Sequence, residues 1–173
     1  SEPDSFPQIE MAEGDDSVAL LIRHLHPLTD TDHQHWVEFE QRFNTSVLLQ
    51  SAGYDSLEDL RGSRELKPLS YQIPEYGLSM MFKPHQFTQV NATMNRELIR
   101  TALGYLGDMR GKVVLDLFCG VGNFTLPLAR SGARAIGIEG SEDAVSMAKA
   151  NAQLNQVGDK TGFFVADLYK DMD

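Results

Sequence analysis

Apolar residues in the first half of the chain recur in short alternating runs, a pattern that is typical of β-strands. Three such runs predict strands, at residues 8–12, 18–23 and 46–50. Trp36, Phe39 and Phe43 instead recur at helical spacing. Thr29 precedes them as a candidate N-cap, so the pattern predicts a helix over residues 29–43.

Two further alternating runs, residues 69–73 and 78–82, lie on either side of the turn sequence Pro-Glu-Tyr-Gly at 74–77. Short alternating runs joined by such a turn are typical of an antiparallel hairpin. Together with the preceding strands and helix, the hairpin predicts that residues 1–84 form a small α+β domain.

The second half of the chain alternates between helical and strand patterns. Asn91 is a candidate N-cap for a helix that ends at Leu106, and its predicted apolar face comprises Met94, Leu98, Ala102 and Leu106. Strands are then predicted at 113–118, 134–139 and 162–167, with helices at 123–131 and 141–155. This β-α-β-α-β order predicts a parallel sheet, so residues 85–173 are predicted to form an α/β domain.

Composition narrows the class of protein. Hydrophobic residues make up 42% and charged residues 23%, as in ordinary globular proteins, and no apolar run is long enough to predict a membrane span. Residues 1–86 hold 6 Lys and Arg against 15 Asp and Glu, which argues against RNA binding by this chain alone. The single cysteine excludes an intrachain disulfide, and we expect a cytoplasmic protein without a secretory signal.

The segment 113–125 carries the strongest chemical signal. A predicted strand feeds a turn containing Gly120 and Gly122, where a ligand can approach the backbone closely. Dinucleotide-binding loops have a third glycine, whereas this chain has Thr125 at that position. Asp116 at the strand end would repel a pyrophosphate and attract an ammonium group, such as that of S-adenosylmethionine.

Two more carboxylates follow the next predicted strands. Glu139 ends the second strand and is suited to the hydroxyls of a ribose, which NAD and S-adenosylmethionine share. Asp167 ends the third and can accept a hydrogen bond from an adenine amino group, although aspartate is also common in turns.

Two segments of this sequence resemble a known family. Leu-Asp-Leu-Phe-Cys-Gly-Val-Gly-Asn-Phe-Thr at 115–125, preceded by Phe-Thr-Gln-Val-Asn at 87–91, strongly resembles the RNA (uracil-5-)-methyltransferases, in particular bacterial members that act on 23S ribosomal RNA. The resemblance implies a truncated Rossmann-like domain that uses S-adenosylmethionine to methylate carbon 5 of a uridine. It implies cofactor contacts from Gln89, Phe118, Asn123, Glu139 and Asp167.

The resemblance also implies parts that this sequence lacks. The family has an N-terminal RNA-binding barrel, and its nucleophilic cysteine and general base follow the third strand. Cys119 is the only thiol, and it corresponds to a cofactor-loop cysteine of the family. We therefore expect a fragment that has no catalytic residue of its own and is inactive alone, with ribosomal RNA as the partner of the full-length enzyme.

Several alternatives stay open. The same chemistry on a tRNA uridine, an NAD-linked oxidoreductase half-domain and a non-catalytic nucleoside-binding module all fit parts of the pattern. The pairs His24 and His26, and His33 and His35, lack an evident third ligand, so we expect no metal site. The strand at 113–118 is expected to expose an apolar edge that allows dimerisation.

Overall fold

The computed structural model describes residues 3–170, which form two compact units. The first unit comprises the chain up to residue 70 together with residues 83–86, and the second comprises residues 71–82 and the chain from residue 87. Within residues 3–170, no helix is both long enough and apolar enough to cross a bilayer.

The first unit is built on a four-stranded sheet. Its strands, in spatial order, are β1 (Gln8–Glu13), β2 (Val18–Arg23), β3 (Ser46–Gln50) and β4 (Glu58–Asp59). β1 and β4 run antiparallel to their neighbours, whereas β2 and β3 are parallel and are joined through α1 (Asp30–Phe43). The three strands and the helix predicted here are confirmed, but β4 is too short to produce an alternating pattern and was not predicted.

Helix α1 begins with reciprocal side-chain caps. The Thr29 hydroxyl accepts a hydrogen bond from the backbone N–H of Asp32. In return, the Asp32 carboxylate accepts one from the backbone N–H of Thr29. Trp36 and Phe39 pack against the core of the first unit. Phe43, predicted on the same face, is 55% exposed because the helix ends there.

The predicted hairpin is present as β5 (Leu69–Ile73) and β6 (Leu78–Phe82), which pair as a two-stranded sheet. The division into units differs from the predicted boundary after residue 84, since residues 71–82 group with the second unit. The physical reason is burial: Ile73, Leu78 and Met80 lie in the main hydrophobic core of that unit.

The second unit contains a parallel sheet in the order β7 (Val113–Leu117), β8 (Arg134–Glu139) and β9 (Thr161–Val165). Its helices are α2 (Ala92–Leu106), α3 (Thr125–Arg130) and α4 (Glu142–Leu154). The predicted β-α-β-α-β order is therefore confirmed. Such an order places the carboxyl ends of all three strands at one edge of the sheet, where open α/β sheets bind ligands.

One face of this sheet is covered much more completely than the other. Ala135 and Phe163 on one face are buried, whereas Val113, Leu115 and Leu117 on the other face of β7 are 65%, 54% and 45% exposed. Among the described residues, β7 pairs only with β8, so one edge of β7 is open. Parallel sheets are normally covered on both faces, which makes this surface unusual.

The predicted apolar face of α2 is wrong. Met94, Leu98 and Leu106 are 55%, 44% and 49% exposed, and the buried row lies one residue further along, at Asn95, Ile99 and Leu103. The sequence pattern is misleading because the buried row begins with a polar residue, whose amide has specific partners in the second unit.

Gly137 in β8 allows side chains to pack closely against the sheet. Its replacement by alanine tests that packing. A Cβ at position 137 would meet Cys119 Sγ at 2.7 Å and Phe163 Cδ1 at 2.8 Å. We therefore expect Gly137→Ala to lower the free energy of unfolding by about 1–3 kcal/mol, measured by urea denaturation. Gly162→Ala is the matched control, since its Cβ would meet nothing nearer than 3.4 Å. Equal effects of the two substitutions would contradict the packing argument.

Candidate functional site: the glycine turn after β7

The turn between β7 and α3 has an unusual backbone. Phe118, Gly120 and Gly122 have φ angles of 60°, 52° and 93°, so three of five consecutive residues are left-handed. A Cβ at Gly122 would meet Leu126 Cδ1 at 2.6 Å, whereas a Cβ at Gly120 would meet nothing within 4 Å. Gly122 therefore permits packing below the turn, and Gly120 leaves an open side above it.

Asp116, near the end of β7, is partly buried beneath the turn. Its Oδ2 accepts a hydrogen bond of 2.5 Å from the hydroxyl of Thr125, the first residue of α3. Desolvation by burial raises the pKa of Asp116, although the Thr125 hydroxyl opposes this effect. The carboxylate is thus a partly buried hydrogen-bond acceptor that is bound by the hydroxyl of Thr125.

Glu139, the last residue of β8, reaches back to the turn. Its Oε2 accepts a hydrogen bond of 3.2 Å from the backbone N–H of Gly120. Its Oε1 accepts one of 2.9 Å from the backbone N–H of Ser141. Each oxygen of a carboxylate has two lone pairs, so both retain capacity for a ligand hydroxyl. Glu139 therefore supports the turn and offers acceptors beside it.

Asn123 is held by the protein itself. Its Oδ1 accepts from the Tyr71 hydroxyl at 2.9 Å and from Asn95 Nδ2 at 3.0 Å, while its Nδ2 donates to Asn95 Oδ1 at 2.8 Å. Only one amide hydrogen remains for a ligand. Sequence reasoning selected Asn123 but missed Tyr71 and Asn95, which lie on a hairpin strand and a helix outside the recognised loop.

Phe118 and Asp167 follow the ends of β7 and β9. Phe118 is 54% exposed, and its ring lies 5.5 Å from that of Tyr169. Asp167 lies two residues beyond β9, which ends at Val165, so the predicted strand end is wrong. Its carboxylate accepts from the Tyr169 backbone N–H and pairs with Lys170, whose hydrogen bond lowers the pKa of Asp167.

Gln89 lies in the irregular segment before α2, and its side chain is exposed. The segment ends at Asn91, whose side chain caps α2 by accepting from the Met94 backbone N–H. The assignment of Gln89 to the cofactor site stays a prediction.

The thiol of Cys119 lies inside the protein, under the sheet. The residue is 4% exposed and belongs to the main core of the second unit. Burial, followed by the charges of Asp116 and Glu139, raises the pKa of the thiol to about 12. A thiol with that pKa is not ionised at neutral pH, whereas thiol nucleophiles react as thiolates.

Two of the histidines considered as metal ligands contact backbone carbonyl oxygens. A ring nitrogen of His33 lies 2.5 Å from the Leu60 carbonyl oxygen, and His24 Nδ1 lies 2.9 Å from the carbonyl oxygen of His26. Within residues 3–170, no group of three or more His, Cys, Asp or Glu side chains is arranged to hold a metal ion.

The sequence profile of the family described as tRNA (Uracil-5-)-methyltransferase matches residues 67–162, which are 96 of the 173 residues. The chain belongs to this family. The match includes the hairpin strand β6, the glycine turn and the Glu139 carboxylate, so the family resemblance found in the sequence is confirmed.

Two curated members of the family are similar over almost the whole chain. The 23S rRNA (uracil(1939)-C(5))-methyltransferase RlmD of Hahella chejuensis is 47% identical, over 95% of this chain and 36% of that protein. The same enzyme of Acidithiobacillus ferrooxidans is 44% identical, over 96% of this chain and 38% of that protein. The chain thus spans little more than a third of the length of these relatives.

Solved structures share the fold at low identity. The Pyrococcus abyssi tRNA (uracil-54, C5)-methyltransferase, in complex with S-adenosyl-L-homocysteine, aligns with a TM-score of 0.66 and 22% identity, covering 92% of this chain and 38% of that chain. The M. jannaschii tRNA m1G37 methyltransferase aligns with a TM-score of 0.61 and 16% identity, covering 96% and 50%. The predicted α/β, Rossmann-like fold class is confirmed.

The environment of Asp116 predicts that its charge destabilises the folded chain. Because burial raises the pKa of Asp116, its contribution to stability is lost as the pH rises through the folded-state pKa. An asparagine does not ionise, and its amide oxygen can still accept from Thr125. We expect Asp116→Asn to raise the melting temperature by about 2–4 °C near neutral pH. The difference should shrink in acid, as the wild-type carboxyl is protonated.

The control for this measurement is Thr125→Val, which removes the hydroxyl that stabilises the carboxylate while keeping the side-chain shape. It should lower the melting temperature at neutral pH. If Asp116→Asn melts below the wild type at neutral pH, then Asp116 is stabilised as an ion and the inferred direction of its pKa shift is incorrect.

Proposed function

We propose that the glycine turn binds S-adenosylmethionine, as part of an enzyme that methylates carbon 5 of a uridine in 23S ribosomal RNA. The observation that carries the proposal is a pair of carboxylates at a turn whose Gly120 faces open space: Glu139 accepts from the Gly120 N–H, and Asp116 accepts from Thr125 just after the turn. Family membership and the 44–47% identical relatives named as 23S rRNA methyltransferases support this choice.

Each part of the cofactor has a chemically suitable group at the carboxyl edge of the sheet. Asp116 would attract the ammonium group of the methionine moiety, and Glu139 would accept from the ribose hydroxyls. The exposed ring of Phe118 offers an apolar surface to the adenine, and Asp167 an acceptor for its amino group. Gln89 joins this set by family resemblance.

An NAD-linked function fits the turn less well. A pyrophosphate needs backbone N–H donors at a helix start, and it is repelled by carboxylates. Here α3 has only six residues, and the Gly120 N–H already donates to Glu139. The site is therefore better suited to a ligand that carries a positive charge.

The covalent step of uracil methylation needs a thiolate that adds to carbon 6, which makes carbon 5 nucleophilic toward the methyl group. Cys119 is unsuited to this role because it is buried and its thiol stays protonated. We infer that Cys119 is not the nucleophile of the full-length enzyme, and that this chain contributes its cofactor site. We place the full-length enzyme in the cytoplasm, with ribosomal RNA as its partner.

A tRNA uridine is the second candidate substrate, because the family description names tRNA. The 44–47% identical relatives favour ribosomal RNA. The net charge of −10 makes strong RNA binding by this chain alone unfavourable under either hypothesis.

Two ligands that share a ribose but differ in the ammonium group test the two carboxylates separately. S-adenosylhomocysteine has both groups, whereas 5′-methylthioadenosine has only the ribose. We expect Glu139→Gln to lower the affinity for both ligands, as measured by calorimetry. The loss should be about 10- to 150-fold if a hydrogen bond to a charged group is lost. Asp116→Asn should weaken S-adenosylhomocysteine and leave 5′-methylthioadenosine unchanged.

Glu142→Gln is the control, since it removes the same charge from an exposed position in the first turn of α4. Preferential binding of NAD by the wild type would overturn the proposed cofactor. Unchanged affinity for both nucleosides in Glu139→Gln would overturn the assignment of the ribose.

We propose that this chain dimerises through the exposed surface of β7. Val113, Leu115 and Leu117 present apolar side chains beside an open strand edge. Leu115→Lys should shift sedimentation toward the monomer, whereas Leu25→Lys, at a similarly exposed leucine in the first unit, should not. A monomeric wild type at high protein concentration would exclude this interface.

A further inference from the structure

The outer edge of strand β6 is paired by asparagine side chains instead of a third strand. Asn155 Oδ1 accepts from the Ser79 N–H at 2.8 Å, and its Nδ2 donates to the Ser79 carbonyl at 2.7 Å. In the same way, Asn151 Oδ1 accepts from the Met81 N–H at 2.8 Å, and Asn151 Nδ2 donates to the Met81 carbonyl at 2.9 Å. Each side-chain amide therefore supplies the donor and the acceptor that a neighbouring strand would supply.

The spacing of the two elements makes this pairing possible. Residues 79 and 81 are two positions apart on the strand, a distance of about 6.8 Å along its axis. Residues 151 and 155 are four positions apart, which corresponds to about 6 Å along a helix. Asn151 in α4 and its C-cap Asn155 thus match two consecutive pairing sites of β6.

Asn151 differs from Asn155 in the use of its second amide hydrogen. Asn151 Nδ2 also donates to the carbonyl oxygen of Val121, in the glycine turn, at 3.0 Å. The equivalent hydrogen of Asn155 is donated to the Asn151 carbonyl within the helix region. Asn151 is fully buried, so one amide connects the hairpin, α4 and the turn away from solvent.

A second connection reaches the other end of the turn. The Tyr71 hydroxyl, on β5, donates to Asn123 Oδ1, and Asn95 on α2 completes the bonding of the same amide. Residues 71–82 therefore contact the turn at Val121 through Asn151 and at Asn123 through Tyr71.

We infer that the hairpin residues 71–82 support the cofactor site from outside, and that Asn151 and Tyr71 are positioning residues that fix the glycine turn in its binding conformation. This inference rests on the proposed function. Neither residue need touch the ligand: each acts by holding a backbone carbonyl or an amide of the turn.

The turn requires such support because its backbone is intrinsically unfavourable. Phe118 is a non-glycine residue at positive φ, and glycines lose more conformational entropy than other residues when they are fixed. Bonds from outside the turn can offset these costs before a ligand arrives, so that less binding free energy is spent on ordering the turn.

The test uses two matched pairs of variants in the complete chain. Asn151→Ala and Asn155→Ala each remove a β6 pairing amide, but only the first removes a bond to the turn. Tyr71→Phe and Tyr76→Phe each remove a hydroxyl from the same hairpin, but only the first hydroxyl bonds Asn123. Affinity for S-adenosylhomocysteine is measured well below the melting temperature of each variant, where a purely structural role does not alter it.

We expect Asn151→Ala to raise the Kd by about 10-fold over Asn155→Ala, the equivalent of about 1.4 kcal/mol. Tyr71→Phe should raise the Kd less, since Asn95 still binds Asn123, but measurably above Tyr76→Phe. Hydrogen exchange at the backbone amides of Gly122 and Leu126, which bond within the turn and into α3, should accelerate only in the first member of each pair.

Equal Kd values and equal exchange within both pairs would overturn the inference. If Asn151→Ala does not fold, the milder tyrosine pair decides the outcome by the same two measurements. If the wild type does not bind S-adenosylhomocysteine, the proposed function fails. Hydrogen exchange then decides alone whether the hairpin positions the turn.

Discussion

The site depends on a turn whose backbone conformation is intrinsically unfavourable. Phe118, Gly120 and Gly122 all have positive φ, and the turn leads into a helix of only six residues. Its conformation is held from outside by Glu139 on β8, by the asparagines of α2 and α4, and by Tyr71 of the hairpin. The glycine turn is therefore contacted by β5, α2, β8 and α4 of the second unit, and the bond from Tyr71 adds to the burial that groups residues 71–82 with that unit.

Asp116 shows how ligand binding and stability oppose each other at this turn. Its carboxyl is partly desolvated, which raises its pKa, and it accepts a hydrogen bond from the Thr125 hydroxyl. Burial shifts the titration of such a group toward its neutral form, whereas an adjacent ammonium group shifts it toward its ionised form. Binding of a cationic ligand should therefore lower the pKa of Asp116, with uptake of the ligand coupled to release of a proton wherever the carboxyl was protonated.

The regular elements of the fold could be predicted from the sequence because their patterns are local. The β-α-β-α-β order, the Thr29 cap and the hairpin turn each depend on residues within a few positions of one another. The glycines, Asp116 and Glu139 could be selected in the same way, as residues at strand ends. The buried face of α2 could not, because Asn95 occupies a row that hydrophobic periodicity would fill with an apolar residue. The end of β9 was also misplaced, since Asp167 belongs to a turn with Lys170.

The supporting asparagines were missed for a related reason. Asn151 lies on α4 and Asn155 is its C-cap, where an amide without known partners is most simply taken as a solvent-facing residue. Their partners are backbone groups of Ser79 and Met81, more than 65 positions earlier, and a backbone group carries no sequence signal. Burying an amide is unfavourable unless all of its hydrogen bonds are made, and Asn151 makes three with two separate segments. An amide that makes all of its hydrogen bonds fixes the distance between those two segments. A leucine at the same position could pack against both segments, but it would not fix that distance.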